Sequence, residues 1–205
     1  MDTTSTPVIR RYGPGEVPNL LDTLVEVWAD AHADHRDVAE ADLTPATLHH
    51  QLTSHARHPG FVLAAAYDAG ILVGFGYAFP CTPLYWFGTE LLPAIPEPAR
   101  STDRLMGLCE LAVRPGWQDR GIGSRLHQTL IDAIGPHYAS LLAMPGNTDS
   151  QRLYRRLGYT YAGPYRNAPG GAVFDLLLLG PLTAEMVGTQ ADSNQFLGEP
   201  HHPAP

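Results

Sequence analysis

The chain has 205 residues, 44 % hydrophobic and 17 % charged, a globular mixture sized for one domain and unlike that of a disordered chain. Its net charge of −8 comes from 21 acids against 13 bases, every base an arginine, which argues against a nucleic-acid binder, since that role needs a surplus of cations to neutralise phosphates. The polar start Met1-Asp2-Thr3-Thr4-Ser5-Thr6 lacks the apolar core of a secretory signal, and no run reaches the roughly 18 apolar residues of a membrane span.

Val8-Ile9-Arg10-Arg11-Tyr12 reads as a first strand, closed by Gly13-Pro14-Gly15. From Pro18 to Ala39, Leu21, Leu24, Val25, Trp28 and Val38 recur at helical spacing. Asp22, Glu26, Asp30, Asp34 and Asp37 follow one another by three or four on the opposite side, where like charges weaken a helix by a few tenths of a kcal/mol per pair. A solvated outer face accounts for them; the other reading is that Asp34 to Asp42 border a pocket for a cation. Thr44 reads as an N-cap with Pro45 at the first position of a helix that runs to about His55. Phe61 to Tyr67 and Ile71 to Phe79 flank Asp68-Ala69-Gly70, a hairpin signal.

Between 80 and 104, Pro80, Pro83, Pro93, Pro96 and Pro98 stand among aromatics, which predicts an irregular insertion with at most a turn of helix. Leu105 to Val113 returns to strand. Arg120 to Ile134 reads as a helix with Ile122, Leu126, Leu130 and Ile134 on its buried side. Leu141-Leu142-Ala143 is a short buried strand, Asp149 to Leu157 a short helix, and Tyr159 to Ala162 and Val173 to Leu179 the last strands. The chain turns polar and proline-rich after Pro181, so 1–187 is expected to form one domain and 188–205 a disordered tail. This order predicts an α/β (α+β) fold, with a mixed central sheet of about seven strands flanked on both faces by about four helices.

Cys81 and Cys109 are too few for a disulfide scaffold and lie in apolar surroundings, so buried thiols in a cytoplasmic protein are expected. Ten histidines include the pairs His32/His35, His49/His50 and His55/His58, but no zinc-ligand pattern accompanies them. No metal site is expected, and solvated helix and loop histidines account for them.

The chemistry concentrates in Glu110 to Ser124, where a strand meets a Pro115-Gly116 turn and a glycine-bearing loop opens a helix. Gly121 and Gly123 let backbone approach a ligand closely, and the free N–H groups of the first helical turn form an anion cradle suited to a pyrophosphate. A Rossmann fingerprint would need a third glycine where Leu126 stands, and a P-loop would need lysine, which the chain lacks. Gln118-Asp119-Arg120-Gly121-Ile122-Gly123 instead fits Gln/Arg-x-x-Gly-x-Gly/Ala, a coenzyme A-binding pattern. A second stretch runs from Asn147 through Ser150 and Tyr154 to Gly158-Tyr159, 24 residues after Gly123.

Together these motifs resemble the GNAT family of N-acetyltransferases, with Ser150 where the family usually has alanine. The resemblance is strong over 105–180 and weaker back to residue 8. It implies the GNAT fold and acetyl-CoA as acyl donor. Backbone groups of Leu111 and Val113 would pair with the pantetheine arm, and the N–H groups of Gln118, Asp119, Arg120, Gly121, Ile122, Gly123 and Ser124 would hold the pyrophosphate. Asn147 would contact the cofactor beside the acceptor site, and Tyr154 would lie near the thioester sulfur.

The reaction sets its own demands. An amine with a pKa of about 10 is mostly protonated at neutral pH and has no lone pair for attack. Glu110 is the candidate base, or else a contact to the substrate amine. The Leu111 N–H is the candidate oxyanion donor, and Tyr154, if not simply a packed helix tyrosine, is the acid that protonates the leaving thiolate. Asp34, Trp86 and Glu110 are the candidate acceptor contacts, with the aromatics of the insertion walling the pocket; Cys109 reads as a buried strand cysteine and not a nucleophile. The expected activity is acetyl transfer from acetyl-CoA to a primary amine of a small cationic molecule, with no nucleic-acid or membrane partner and a homodimer left open. The alternatives are acetylation of protein lysines or N-termini, or a non-catalytic acyl-CoA-binding sensor.

Charge is uneven along the chain. Residues 22–42 carry seven acids and one base, a net of −6, whereas 105–166 carry seven arginines and four acids, a net of +3. Two substrates of opposite charge would suit that division.

Overall fold

Ala69 at φ 47° and Gly70 at φ 84° give two successive left-handed residues, the requirement of a tight two-residue hairpin turn. That turn joins β2 (Val62–Asp68) to β3 (Ile71–Cys81), and β1 (Val8–Tyr12) pairs antiparallel on the far side of β2. The computed structural model, which describes residues 6–33, 44–166 and 172–183, continues with β4 (Leu105–Val113), β5 (Tyr138–Ala143), β6 (Thr160–Arg166) and β7 (Val173–Leu179). The seven strands form one sheet in the order β1-β2-β3-β4-β5-β7-β6. The expected mixed sheet is present, with β4 and β5 as its parallel pair.

Two helices cover one face, α1 (Val17–Ala31) and α2 (Pro45–His55). Leu24, Val27 and Trp28 of α1 and Leu48 and Leu52 of α2 are buried against Leu63, Ala65, Phe75, Tyr77 and Ala112. Thr44 caps α2 by accepting the Thr47 N–H at 3.1 Å, and Pro45 takes the first helical position. The other face carries α5 (Ile122–Ile134), whose Ile122, Leu126, Leu130 and Ile131 pack on Ala64, Val73, Met106, Leu108 and Leu141. Each such side chain gives about 1.5–3 kcal/mol on burial, so the row at four-residue spacing is enough to fix α5 on the sheet. Short α6 (Thr148–Arg156) follows β5, and Gly158 at φ 91° ends it, with the Tyr159 N–H returning to the Tyr154 carbonyl at 3.0 Å.

Three sequence expectations need correction. The 80–104 segment is not irregular: it holds α3 (Pro83–Leu91), a 3-10 turn at Leu92–Ala94 and α4 (Glu97–Arg100). Each proline-bearing turn has its proline in the first two positions, where a missing N–H costs nothing. Phe87, Ile95 and Ala99 of this segment build a third core with Leu105, Tyr138, Leu176 and Leu178. Second, not every histidine is solvated. His55 Nδ1 lies 3.2 Å from the Tyr77 hydroxyl, and His58 stacks on Phe79 with centroids 4.1 Å apart. His127 is only 2 % exposed and shares a 3.0 Å hydrogen bond with the Tyr159 hydroxyl; burial pushes its pKa down to about 4. Third, α1 ends at Ala31 and not near Ala39; Asp34, Asp37 and the rest of 34–43 lie outside the described residues, as does the 188–205 tail.

Two features of β4 set up the site. Its pairing with β5 spans only Leu105–Gly107 against Tyr138–Ser140, and from Leu108 onward the two strands diverge. Its register with β3 shifts between Tyr77↔Glu110 and Ala78↔Leu108, which makes Cys109 the extra residue of a β-bulge.

Candidate active site

The divergence of β4 and β5 opens a cleft of about 750 Å³. Leu108, Cys109, Glu110 and Leu111 line it from β4, and Leu141, Leu142 and Met144 from the β5 side. Asn147, Ser150 and Tyr154 of the α6 region, Phe174 of β7, Trp28 and His32 of α1's end, and Thr44, Pro45 and Gln51 of α2 complete the wall. Both expected catalytic residues, Glu110 and Tyr154, therefore face one cavity.

The bulge at Cys109 turns Glu110 toward α1. Its Oε2 accepts the Trp28 indole N–H at 2.8 Å, and its Oε1 accepts the Leu111 N–H at 2.9 Å. The amide expected to serve as oxyanion donor is thus engaged by the neighbouring carboxylate. Tyr154 is 9 % exposed, and burial first, then the Glu110 charge, raise its pKa far above that of a free phenol. It stays protonated at neutral pH, as a proton donor must. Burial likewise pushes the Cys109 thiol up, assisted by Cys81 and Glu110, which leaves it without the thiolate a nucleophile needs.

The loop beyond β4 is held by side chains on both flanks. Trp117 donates its indole N–H to Asp68 at 2.8 Å, and Arg114 bonds the Leu72 carbonyl at 3.2 Å and pairs with Asp30 of α1. The acidic face of α1 and the arginine-rich half of the chain therefore meet at Arg114–Asp30, while Asp22 and Glu26 are exposed. Gln118 spends its backbone N–H on Pro115 at 3.2 Å and sends its side-chain amide to the Val113 carbonyl at 2.9 Å. Asp119 takes φ 57° and Gly121 φ 74°, and both are exposed together with Arg120. Gly121 caps α5 without a side chain, so the N–H groups of Ile122, Gly123 and Ser124 in the first turn have no side-chain acceptor there. A Cβ on Gly123 would lie 3.2 Å from Leu153, a sign of how closely α5 and α6 approach.

In the second motif, Asn147 is the N-cap of α6, accepting the Ser150 N–H at 3.1 Å, and the Ser150 hydroxyl returns to the Asn147 carbonyl at 3.1 Å. Both residues line the cleft, so the same side chains that start the helix face the ligand space. Trp86, expected as an acceptor contact, is placed elsewhere: its ring covers Gly107, where a Cβ would come within 2.3 Å of it, and it meets Phe79 edge-on. Trp28 and His32 are the site residues that the sequence reading missed. Trp28 was legible only as one more member of α1's apolar stripe, and His32 follows it by one helical turn.

An uncapped helix N-terminus, a strand edge without a partner strand and two titratable groups facing one cavity can hold an extended phosphorylated ligand and move protons beside it. The sequence profile of the acetyltransferase (GNAT) family matches residues 21–159. Among solved structures, PaiA N-acetyltransferase of Thermoplasma acidophilum in complex with coenzyme A is 12 % identical, with TM-score 0.53 over 85 % of this chain and 98 % of that one. The ribosomal-protein-S18-alanine N-acetyltransferase of Escherichia coli is 17 % identical, with TM-score 0.58 over 87 % and 96 %. Aminoglycoside 6'-acetyltransferase type Ii is 18 % identical, with TM-score 0.56 over 86 % and 98 %. At such identities the likeness is one of fold. No curated protein shows a significant sequence match.

Proposed function

The chain belongs to the acetyltransferase (GNAT) family, and on that premise we propose that it transfers an acetyl group from acetyl-CoA to a primary amine of a small cationic molecule by direct attack. The observation that carries this reading is the single cleft onto which both Glu110 and Tyr154 open. The residues present fit coenzyme A: from Leu108 onward β4 has no partner strand on its β5 side, where the exchangeable side chains of Glu110 and Gln118 hold the Leu111 N–H and the Val113 carbonyl, and α5 begins on a glycine without a capping side chain. Bound there, acetyl-CoA supplies the activated acyl group. Ile122, Gly123 and Ser124 offer their N–H groups to its pyrophosphate, and Asn147 and Ser150 flank the path to the acceptor.

Glu110 receives the acceptor ammonium as a counter-charge on the far wall of the cleft. When its Oε1 turns to that ammonium, the Leu111 N–H is released to the developing oxyanion. Tyr154 delivers a proton to the leaving thiolate. Its raised pKa makes that donation uphill by itself, since a free thiol has a pKa of about 8.5; the step therefore runs together with reprotonation of Tyr154 by the amine nitrogen. A protein lysine or N-terminus is the second acceptor class; the enclosing wall of Trp28, Pro45, Met144 and Phe174 favours a small molecule. The testing experiment is acetyl-CoA-dependent thiol release across polyamines, aminoglycosides, arylalkylamines and peptides. The reading expects one small amine to accelerate release well beyond the peptides.

A further inference from the structure

Direct attack requires one proton to leave the acceptor ammonium before its nitrogen has a lone pair. Among the described residues lining the cleft, Cys109 and Tyr154 are held protonated by burial, which leaves Glu110 and His32 as the side chains able to receive it.

These two differ in what accepting a proton does to their surroundings. Both Glu110 oxygens already accept hydrogen bonds from fixed donors, the Leu111 amide and the Trp28 indole. Protonating the carboxylate would turn two charge-assisted bonds into weaker neutral ones and discharge the group that attracts the ammonium. His32 is arranged the other way. Its Nδ1 lies 2.8 Å from the Trp28 carbonyl oxygen. A carbonyl only accepts, so Nδ1 carries the hydrogen and the neutral ring keeps its lone pair at Nε2. A proton at Nε2 leaves that bond in place and strengthens it. The imidazole is stacked on the Trp28 indole with centroids 4.4 Å apart and planes inclined by 27°. It sits just past the C-terminal end of α1.

Resting on the acetyltransferase reading above, we propose that His32 is the catalytic base of the acceptor half and that Glu110 anchors the ammonium without taking its proton. Trp28, stacked on one and bonded to the other, is the positioning residue that holds them in register. Of the ammonium's three N–H protons, one passes to His32 Nε2 and on to solvent. As the N–C bond forms and the C–S bond breaks, a second reaches the thiolate through Tyr154, and the third stays in the amide. The products are amide, thiol and one released proton, which balances the ammonium's charge. Among the described residues, the ionisable groups around His32 are Asp30 of α1 with its partner Arg114 just beyond β4, Cys109 and Glu110 from β4 and Tyr154 from α6; α2 contributes the neutral Thr44, Pro45 and Gln51.

The test uses the full chain with acetyl-CoA and three acceptors: benzylamine, spermidine and an alanine-terminated peptide. His32→Asn keeps a donor near the position of Nδ1 but removes the base. It is expected to lower kcat about 100-fold with little change in amine KM and to abolish the acid limb of the pH profile, while Glu110→Gln raises amine KM and keeps that limb. Free imidazole is expected to restore turnover to His32→Ala. Retention of kcat and of the acid limb in His32→Asn overturns the proposal while leaving the acetyltransferase reading intact. Loss of activity in His32→Ala that imidazole does not restore marks a structural role and also overturns it. Absence of turnover by the unsubstituted chain with all three acceptors overturns the underlying reading and this proposal with it.

Discussion

The Trp28 indole N–H donates to Glu110 Oε2 at 2.8 Å, tying the last turn of α1 to β4 one residue beyond its bulge. Helix, strand and acceptor carboxylate are thereby fixed relative to one another, in a wall where Trp28 is only 6 % exposed. Trp28→Phe keeps most of the packing and removes the donor. Losing a hydrogen bond to a charged group costs about 1.5–3 kcal/mol, so the expected outcome is a stability loss of that size in urea titration together with a raised amine KM.

Tyr154→Phe removes the hydroxyl and keeps the buried ring. General-acid contributions run to about 10²–10⁴ in rate, so kcat is expected to fall by at least about 100-fold. Calorimetric affinity for coenzyme A should change little, because the phosphate cradle lies on α5.

His127 makes stability depend on pH. The unfolded chain binds a proton at its ordinary pKa of 6.5, whereas the buried imidazole resists protonation until about 4. Above 6.5 the neutral side chain costs nothing; as pH falls from 6.5 toward 4 the unfolded state gains the proton first and stability is lost. The full loss is about 3 kcal/mol. Denaturant melts across this window should show the slope in the unsubstituted chain, and His127→Phe should remove His127's share of it.

Gly107 and Trp86 are coupled by contact. A Cβ at Gly107 would come within 2.3 Å of the Trp86 ring, so Gly107→Ala is expected to cost about 1–3 kcal/mol through overpacking. In a Trp86→Ala background the same change should be nearly neutral, and the difference in a double-mutant cycle measures the contact.

Much of the fold was legible in the sequence because local rules and global packing agree there. The Ile122, Leu126 and Leu130 spacing on α5, Thr44-Pro45 at the start of α2 and Ala69-Gly70 in the hairpin each correspond to the observed element. Asn147, Ser150 and Gly158 were legible as a motif, and the structure supplies a local reason: they begin and end α6. Residues 80–104 were misread because prolines that open helical turns look in sequence like prolines that prevent them, and Gly88 at φ 69° does interrupt α3. His127 shares the buried side of α5 with Ile131, but a polar side chain gives no hydrophobic signal by which a sequence would place it there. The Trp28–Glu110 bond joins residues 82 apart in sequence, and no local pattern announces which indole will meet which carboxylate.

The central claim is amine acetylation at the cleft shared by Glu110 and Tyr154. The most direct measurement follows thiol release from acetyl-CoA together with mass spectrometry of the acceptor, across the amine series, for the unsubstituted chain and Tyr154→Phe. The expected result is one acetylated amine per thiol released, lost in Tyr154→Phe while coenzyme A still binds. Tight coenzyme A binding with no amine-stimulated release from any acceptor would contradict the claim and leave an acyl-CoA sensor in its place.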